Sequence, residues 1–461
     1  MLSRRFVPPG AGIRPGPSKE KIPPLLISWR RYRFTVRLRL LLPALAALAV
    51  LSTASAAPKP TLALLANAPK PRVINSDLVF WGRVAYQGNY NGFRVIDISK
   101  PRAPVVLADF HCRGPQSDLS VWRNLLFVSV DRPQTTSGCD SVDAIDSLDS
   151  AAFEGIRIFD VTDPRNPRFL TGVATDCGSH THTLVPDPAL DRLLIYVSSY
   201  ALLGGPHCGE GREEDPLHGK ISIVAVPLAA PETAAVIAKP QIDAPVFDPQ
   251  SRNLAPSVGC HDISVFIPLH LAAAACMTEG QLWDISDPAA PTVIAHIANR
   301  NFEFWHSATF SWNGKTVVFG DESLSGSCHR TGEQDGRLWF YSVANPAQPL
   351  SSFLIAPQAS EYCTVHMFNA IPLTKGRNVL VSGWYQGGTR VIDFTNPRKP
   401  RQVAAKVPLG ANQWSSYWYD GAVYAGDINR GLDVLSLSGP TTVGARRLGH
   451  LNPQTQEVII R

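Results

Sequence analysis

The sequence predicts an all-β fold: a seven-bladed β-propeller of four-stranded antiparallel blades, with eight blades as the alternative count. Three observations predict it. A Gly-led apolar segment ending in a proline turn recurs along the chain. Between copies, apolar and polar residues alternate at period two, the pattern of half-buried strands. The composition, with 39 Pro, 10 Trp, 11 Tyr and 19 Phe against 3 Met, favours short strands and turns over long helices. At 461 residues, 44% apolar and 18% charged, the chain can bury a large core and is too apolar for a disordered one.

Residues 1–56 read as an extended N-terminus plus a secretory signal peptide. Arg30 to Arg39 (RRYRFTVRLR) is basic, Leu40 to Leu51 (LLLPALAALAVL) is apolar, and Ala54-Ser55-Ala56 supplies a small-residue cleavage site. So short an apolar run spans a bilayer poorly, and no stable membrane span is expected after cleavage near Ala56. The expected location is extracytoplasmic: secreted, on the cell surface or in the periplasm. Arg30-Arg31 fits a twin-arginine signal only in part, which leaves the export route open. The segment holds ten of the 43 Lys and Arg residues and one of the 38 acids, so the formal charge falls from +5 to −4 on removal. The basic balance belongs to the address, and no nucleic-acid partner is expected. A short linker, 57–71, then leads to the repeat region, 72–440, and a C-terminal tail or closing segment, 441–461.

Five copies of the repeat match closely: GFRVIDISKPRAP from Gly92, GIRIFDVTDPRNP from Gly155, GQLWDISDPAAP from Gly280, GRLWFYSVANPAQP from Gly336 and GTRVIDFTNPRKP from Gly388. Weaker copies begin at Gly219 and Gly431. Within a unit an alternating strand comes first, a second strand follows, then a variable loop, the Gly-led strand and a fourth strand. The Asp-x-Ser/Thr-x-Pro turn suits this because Pro fixes φ and Asp hydrogen-bonds the backbone just beyond it. Strands from Asn75 and from Gly431, at opposite ends of the region, are expected to help close the ring and remove its edges.

The segments RVIDIS, RIFDVT and RVIDFT resemble the LVIVD repeat of secreted bacterial and archaeal proteins, over nearly all of 72–440. The resemblance implies a propeller-like fold and leaves the chemistry open, since propellers host unrelated functions.

Aligning the first strand of each unit places His182, His261, His306 and His366 at one position in four consecutive units. Four imidazoles converging at the mouth of a central channel form a candidate site for Fe, Cu or Zn. Acids at the same face are candidate partners for the second imidazole N–H: Glu279, Glu303, Asp321, Glu322, Glu361 and Asp427, together with His180. The competing reading makes these histidines hydrogen-bonded channel residues copied by duplication. In layout alone the arrangement is similar to the four-His iron centre of carotenoid-cleaving oxygenases and to the selenium-binding/methanethiol oxidase group.

Export makes disulfides the expected state of the eight Cys, and blade geometry suggests Cys112–Cys139, Cys177–Cys208, Cys260–Cys276 and Cys328–Cys363. The long loops Arg132–Glu154 and Ala201–His218 fall on the histidine face. No nucleophile elbow, phosphate loop or dinucleotide fingerprint is present at a usable place. Beside a purely structural cell-surface role, two functions remain. One is a metal-dependent oxidoreductase acting on a small molecule. The other is a non-catalytic extracytoplasmic propeller that holds an extracellular protein or glycan through top-face loops and Trp305, Trp384, Trp414 and Trp418. Whether the protein is an enzyme is not decided at this level.

Overall fold

The computed structural model describes residues 59–146, 149–199, 206, 208, 219–242, 259–299, 301–302, 304–323, 336–356 and 362–460, and the structural statements below concern these residues. Among them the chain is strand and turn, with short 3-10 turns and no α-helix. The signal-peptide segment, Glu303, Cys328 and Glu361 lie outside them.

Consecutive strands pair antiparallel in groups of four, spanning 75–111, 116–174, 181–238, 262–297, 305–353 and 367–406. The repeat sequence accounts for this local geometry. The Gly opening the third strand has a positive φ at Gly92 (137°), Gly155 (143°) and Gly388 (74°), and a Cβ there would overlap a carbonyl oxygen of the fourth strand. At the strand's other end the repeat Asp folds the turn. Asp97 Oδ1 accepts from Ser99 N at 2.8 Å, Asp160 from Thr162 N at 2.9 Å and Asp284 from Ser286 N at 2.8 Å.

The first strand of each group touches the first strand of the next, and Gln413–Tyr419 touches Asn75–Trp81, so these strands form a closed ring around a central channel. Closure differs from the sequence expectation. The group at 413–438 has three strands, and its fourth is Thr61–Pro69, inside the stretch expected to be linker. That strand pairs from Thr61↔Ser438 to Pro69↔Gly431 with a bulge between Leu64 and Ala66. Its alternation was unreadable because only Leu62 and Ala68 of its residues are buried. The strand at Asn75 instead begins an ordinary group.

The C-terminal segment closes one end of the channel. His450–Leu451 adds antiparallel to Asn75–Trp81, and Thr455–Gln456 adds parallel to Asp262–Phe266. Its side chains read the C-terminal ends of other first strands. Asn452 accepts from Val121 N (2.8 Å) and donates to Val121 O (3.0 Å), Thr455 donates to Leu184 O (2.7 Å), and Gln456 brackets Phe310 N and O (both 3.2 Å). The N-terminal ends of those strands, where the histidines lie, form the other end.

Three of the expected disulfides are present: Cys112–Cys139, Cys177–Cys208 and Cys260–Cys276. The fourth expected pair involves Cys328, outside the described residues. Among the described residues no helix is long and apolar enough to cross a membrane. The disulfides are compatible with an oxidising, extracytoplasmic compartment.

Candidate metal centre

Three histidines occupy one structural position. The amides of His180, His261 and His366 each donate to a carbonyl of the neighbouring second strand, Ser198, Ala275 and Gly383 respectively, at 2.8–3.0 Å. Each immediately precedes its first strand, while His306 is the second residue of Trp305–Phe310. The four rings form a contiguous arc, with centroid separations of 4.4 Å (His180–His261), 3.9 Å (His261–His306) and 4.2 Å (His306–His366).

His182 is not in that arc. Its ring nitrogens lie 2.8 Å from Ser129 Oγ and 2.8 Å from Ser120 Oγ, and its amide donates to Asp118 Oδ2 at 2.9 Å. It is 1% exposed, and burial pushes its pKa down to about 3. The sequence alignment is therefore off by two residues in this unit, and His180 takes the place assigned to His182. As a hydrogen-bonded interior residue, His182 is expected to matter for stability alone. His182→Ala should cost about 2–4 kcal/mol by opening a cavity and stranding the Ser120 hydroxyl, while Ser129 keeps Ser179 as a partner at 2.8 Å. Its bound-metal content should equal the parent's, and parallel chemical denaturation and elemental analysis check the pair.

The tautomers at the arc are set by backbone. His261 Nδ1 donates to His306 O at 3.0 Å and His366 Nδ1 to Trp414 O at 2.6 Å; a carbonyl only accepts, so Nε2 of each ring carries the lone pair. His180 Nδ1 sits 2.8 Å from Asp131 Oδ2, and the Gln116 amide nitrogen lies 3.1 Å from His180 Nε2. His306 Nδ1 is buried without a hydrogen-bond partner. Burial drives His261 and His306 well below the usual histidine range and His366 down to about 3, so all three are neutral at pH 7. Neutral imidazole is the form that binds a metal.

Glu322 completes the centre. Its Oε2 lies 3.4 Å from His306 Nε2 and its Oε1 4.0 Å from His366 Nε2, and the donor atoms of His306, Glu322 and His366 all lie within 4.8 Å of one another. Cis ligands about 2.1 Å from one ion sit about 3 Å apart, so a cation bound here would draw these donors about 1 Å closer together. The Tyr385 hydroxyl donates to Glu322 Oε1 at 2.6 Å. Tyr385 has φ 41°, a left-handed backbone costly for a bulky residue, and its ring lies 4.8 Å from that of His366. Burial, then the Glu322 charge, raises its pKa well above that of an ordinary phenol, which keeps it a donor.

The remaining acids do other work. Glu279 opens the third strand of its group, where His296 Nδ1 is 2.8 Å and Gln281 Nε2 2.6 Å from its Oε1. Asp321 Oδ1 accepts from Phe304 N at 3.0 Å. Asp427 accepts from the amides of Asn412, Asn429 and Arg430, folding a turn, and burial raises its pKa to about 6. Trp305, Trp384 and Trp418 are core residues, at most 3% exposed, and do not present a binding surface. Trp414 borders the site, its ring 4.6 Å from His366. Asp131 and Gln116 had no signal in the repeat alignment.

No family model matches the chain, and no curated protein matches it. Among solved structures it is similar to a Bacteroides uniformis protein described provisionally as a 6-phosphogluconolactonase. The TM-score is 0.51 at 14% identity, over 84% of this chain and 97% of that one. It is also similar to the WD40 β-propeller domain of Doa1, with TM-score 0.51 at 11% identity, over 81% and 97%. The chain folds as a β-propeller. At these identities the likeness carries the fold and nothing about chemistry.

Proposed function

We propose that this β-propeller is an exported metalloprotein whose His306–Glu322–His366 centre holds one transition-metal ion and, with dioxygen as the electron acceptor, oxidises a small molecule at the channel mouth. The single observation that carries the reading is the convergence of two neutral imidazoles and a carboxylate within 4.8 Å. Two histidines and one carboxylate with remaining positions open suit Fe(II), and the same donors accept Zn or Cu. The ion would supply redox or Lewis-acid chemistry there. The chain's own residues do the rest: His366 is aimed by the Trp414 carbonyl, and Glu322 is held by Tyr385. His261 and His180 extend the arc as neighbouring donors.

The four-stranded groups, counted with the one closed by Thr61–Pro69, read as seven blades of the LVIVD type. Signal-peptide cleavage near Ala56 would start the mature chain just before that closing strand. A binding propeller for protein or glycan is the rival; the burial of Trp305, Trp384 and Trp418 removes most of its aromatic surface.

The test is elemental analysis of the purified protein beside a His306→Ala/His366→Ala variant. The parent should carry about one Fe, Cu or Zn per chain and the variant less than a tenth of that, with matching circular dichroism spectra. Equal metal content in the two proteins overturns the metal centre.

A further inference from the structure

A cleft opens at the seam where the group beginning at Asn75 meets the closing group. It has a volume of about 380 Å³ and is lined by Arg72, Val73, Ile74, Tyr90, Asn91 and Asn429. That is room for a small organic molecule. Residues 72–74 lead into the first strand, while 90–91 and 429 lie in turns between second and third strands, so the cleft is on the histidine end of the ring. Hydrogen bonds lock these segments together. Tyr90 N donates to Ile74 O at 2.9 Å, and Asn75 N to Ile428 O at 3.1 Å. The buried Asn75 side chain also donates to Lys70 O at 2.9 Å and Ile428 O at 3.0 Å. The walls are therefore preformed, which lowers the ordering cost of binding.

The lining is cationic on one side and apolar on the other. Lys70, Arg113 and Arg430, on or bonded to these segments, are each paired with an acid: Asp109, Asp143 and Asp433. The Arg72 side chain has no such partner among the described residues, and no acid lines the cleft. Arg72 also has φ 69°, a left-handed backbone that is costly outside glycine and recurs where residues clamp ligands. Arg113 Nη1 donates to Asn91 Oδ1 at 3.3 Å, which orients that carboxamide and leaves its N–H groups to donate. Burial raises the Tyr90 hydroxyl to about 12, so it is a neutral donor. Val73, Ile74, which is 41% exposed, and the Tyr90 ring supply apolar surface.

We propose that this cleft binds a small organic carboxylate, with its charge on the Arg72 guanidinium and the Asn91 amide and its apolar body against Ile74 and the Tyr90 ring. The guanidinium fork offers parallel N–H donors that match two carboxylate oxygens. A neutral sugar would leave that charge unpaired, and inorganic phosphate would make no use of Val73, Ile74 and the Tyr90 ring. The site needs no metal, so it stands apart from the histidine centre.

Calorimetric titration of the purified protein with benzoate and with hexanoate tests the site, with benzyl alcohol as the uncharged counterpart of benzoate. The parent should bind one carboxylate per chain, and benzyl alcohol at least about tenfold more weakly, because the charge-assisted hydrogen bonds are lost. Arg72→Gln should weaken both carboxylates by at least about tenfold at an unchanged melting temperature, since this side chain holds nothing else in the fold. Arg72→Lys keeps the charge without the fork and should fall between the two. The His306→Ala/His366→Ala variant should bind benzoate like the parent. Binding of neither carboxylate, or an Arg72→Gln protein that binds them like the parent, overturns the site. Benzoate binding lost in the double-histidine variant also overturns it, by placing the carboxylate at the metal centre instead.

Discussion

Deleting residues 59–69 is expected to destabilise the ring severely, although it touches none of the site residues. The lost strand is the outer partner of Gly431–Ser438 along its whole length, from Thr61↔Ser438 to Pro69↔Gly431. It also holds a buried cation. Arg94, 1% exposed, donates to Ala68 O and Pro69 O at 3.1 Å and to the Gln87 side chain, while Gln87 Nε2 donates to Gly431 O at 3.0 Å. Burial already depresses the guanidinium pKa to about 10. Without Ala68 and Pro69 carbonyls, an unsatisfied charge is left at a newly exposed sheet edge, which costs about 3–5 kcal/mol before any lost ladder bonds are counted. The bare edge of Gly431–Ser438 is then a template for pairing between chains. The expected outcome is aggregation on size-exclusion chromatography, or a melting temperature lowered by more than about 10 °C. A deletion variant that melts with the parent would mean that the ring closes elsewhere.

The same strand marks where the sequence stops being legible. Groups with strongly buried inner strands are readable because alternation, the positive-φ Gly and the Asp turn each impose a residue type. At Gly155, for instance, only glycine fits beneath the facing carbonyl. Thr61–Pro69 lies at an outer edge with most side chains half-buried or exposed, so no face imposes a pattern on it. The histidine error has a different origin. His180 and His182 are two residues apart, and a slip of two leaves every side chain's alternation unchanged, so period two cannot choose between them. Hydrogen bonding chooses: the His180 amide pairs like those of His261 and His366, and His182 is held by Ser120 and Ser129 from the preceding group. Glu322 was legible as an acid at a strand end. That it sits between His306 and His366 was not, because this depends on how adjacent groups pack around the axis.

Truncation at the other end of the chain separates stability from the site. Removing residues 450–461 takes away both short strands that join Asn75–Trp81 and Asp262–Phe266, and the Asn452, Thr455 and Gln456 bonds to Val121, Leu184 and Phe310. It also uncovers apolar contacts, since Leu451 and Ile460 are 3% and 1% exposed, and Ile460 packs with Trp312 and Ala370. Each hydrogen bond contributes about 1 kcal/mol and each buried aliphatic side chain about 2 kcal/mol, while water re-solvates part of the freed backbone. The net loss should be about 5 kcal/mol, or roughly 5–10 °C in melting temperature for a chain of this size. The ring itself should survive, because closure rests on Thr61–Pro69 and the touching first strands rather than on this plug. His306, Glu322 and His366 lie at or before the N-terminal ends of the first strands or on the loop beside them, and the plug covers the C-terminal ends. The truncated protein should therefore bind transition metal like the parent at 20 °C while melting earlier. Metal loss without any change in melting would place the site at the wrong end of the channel.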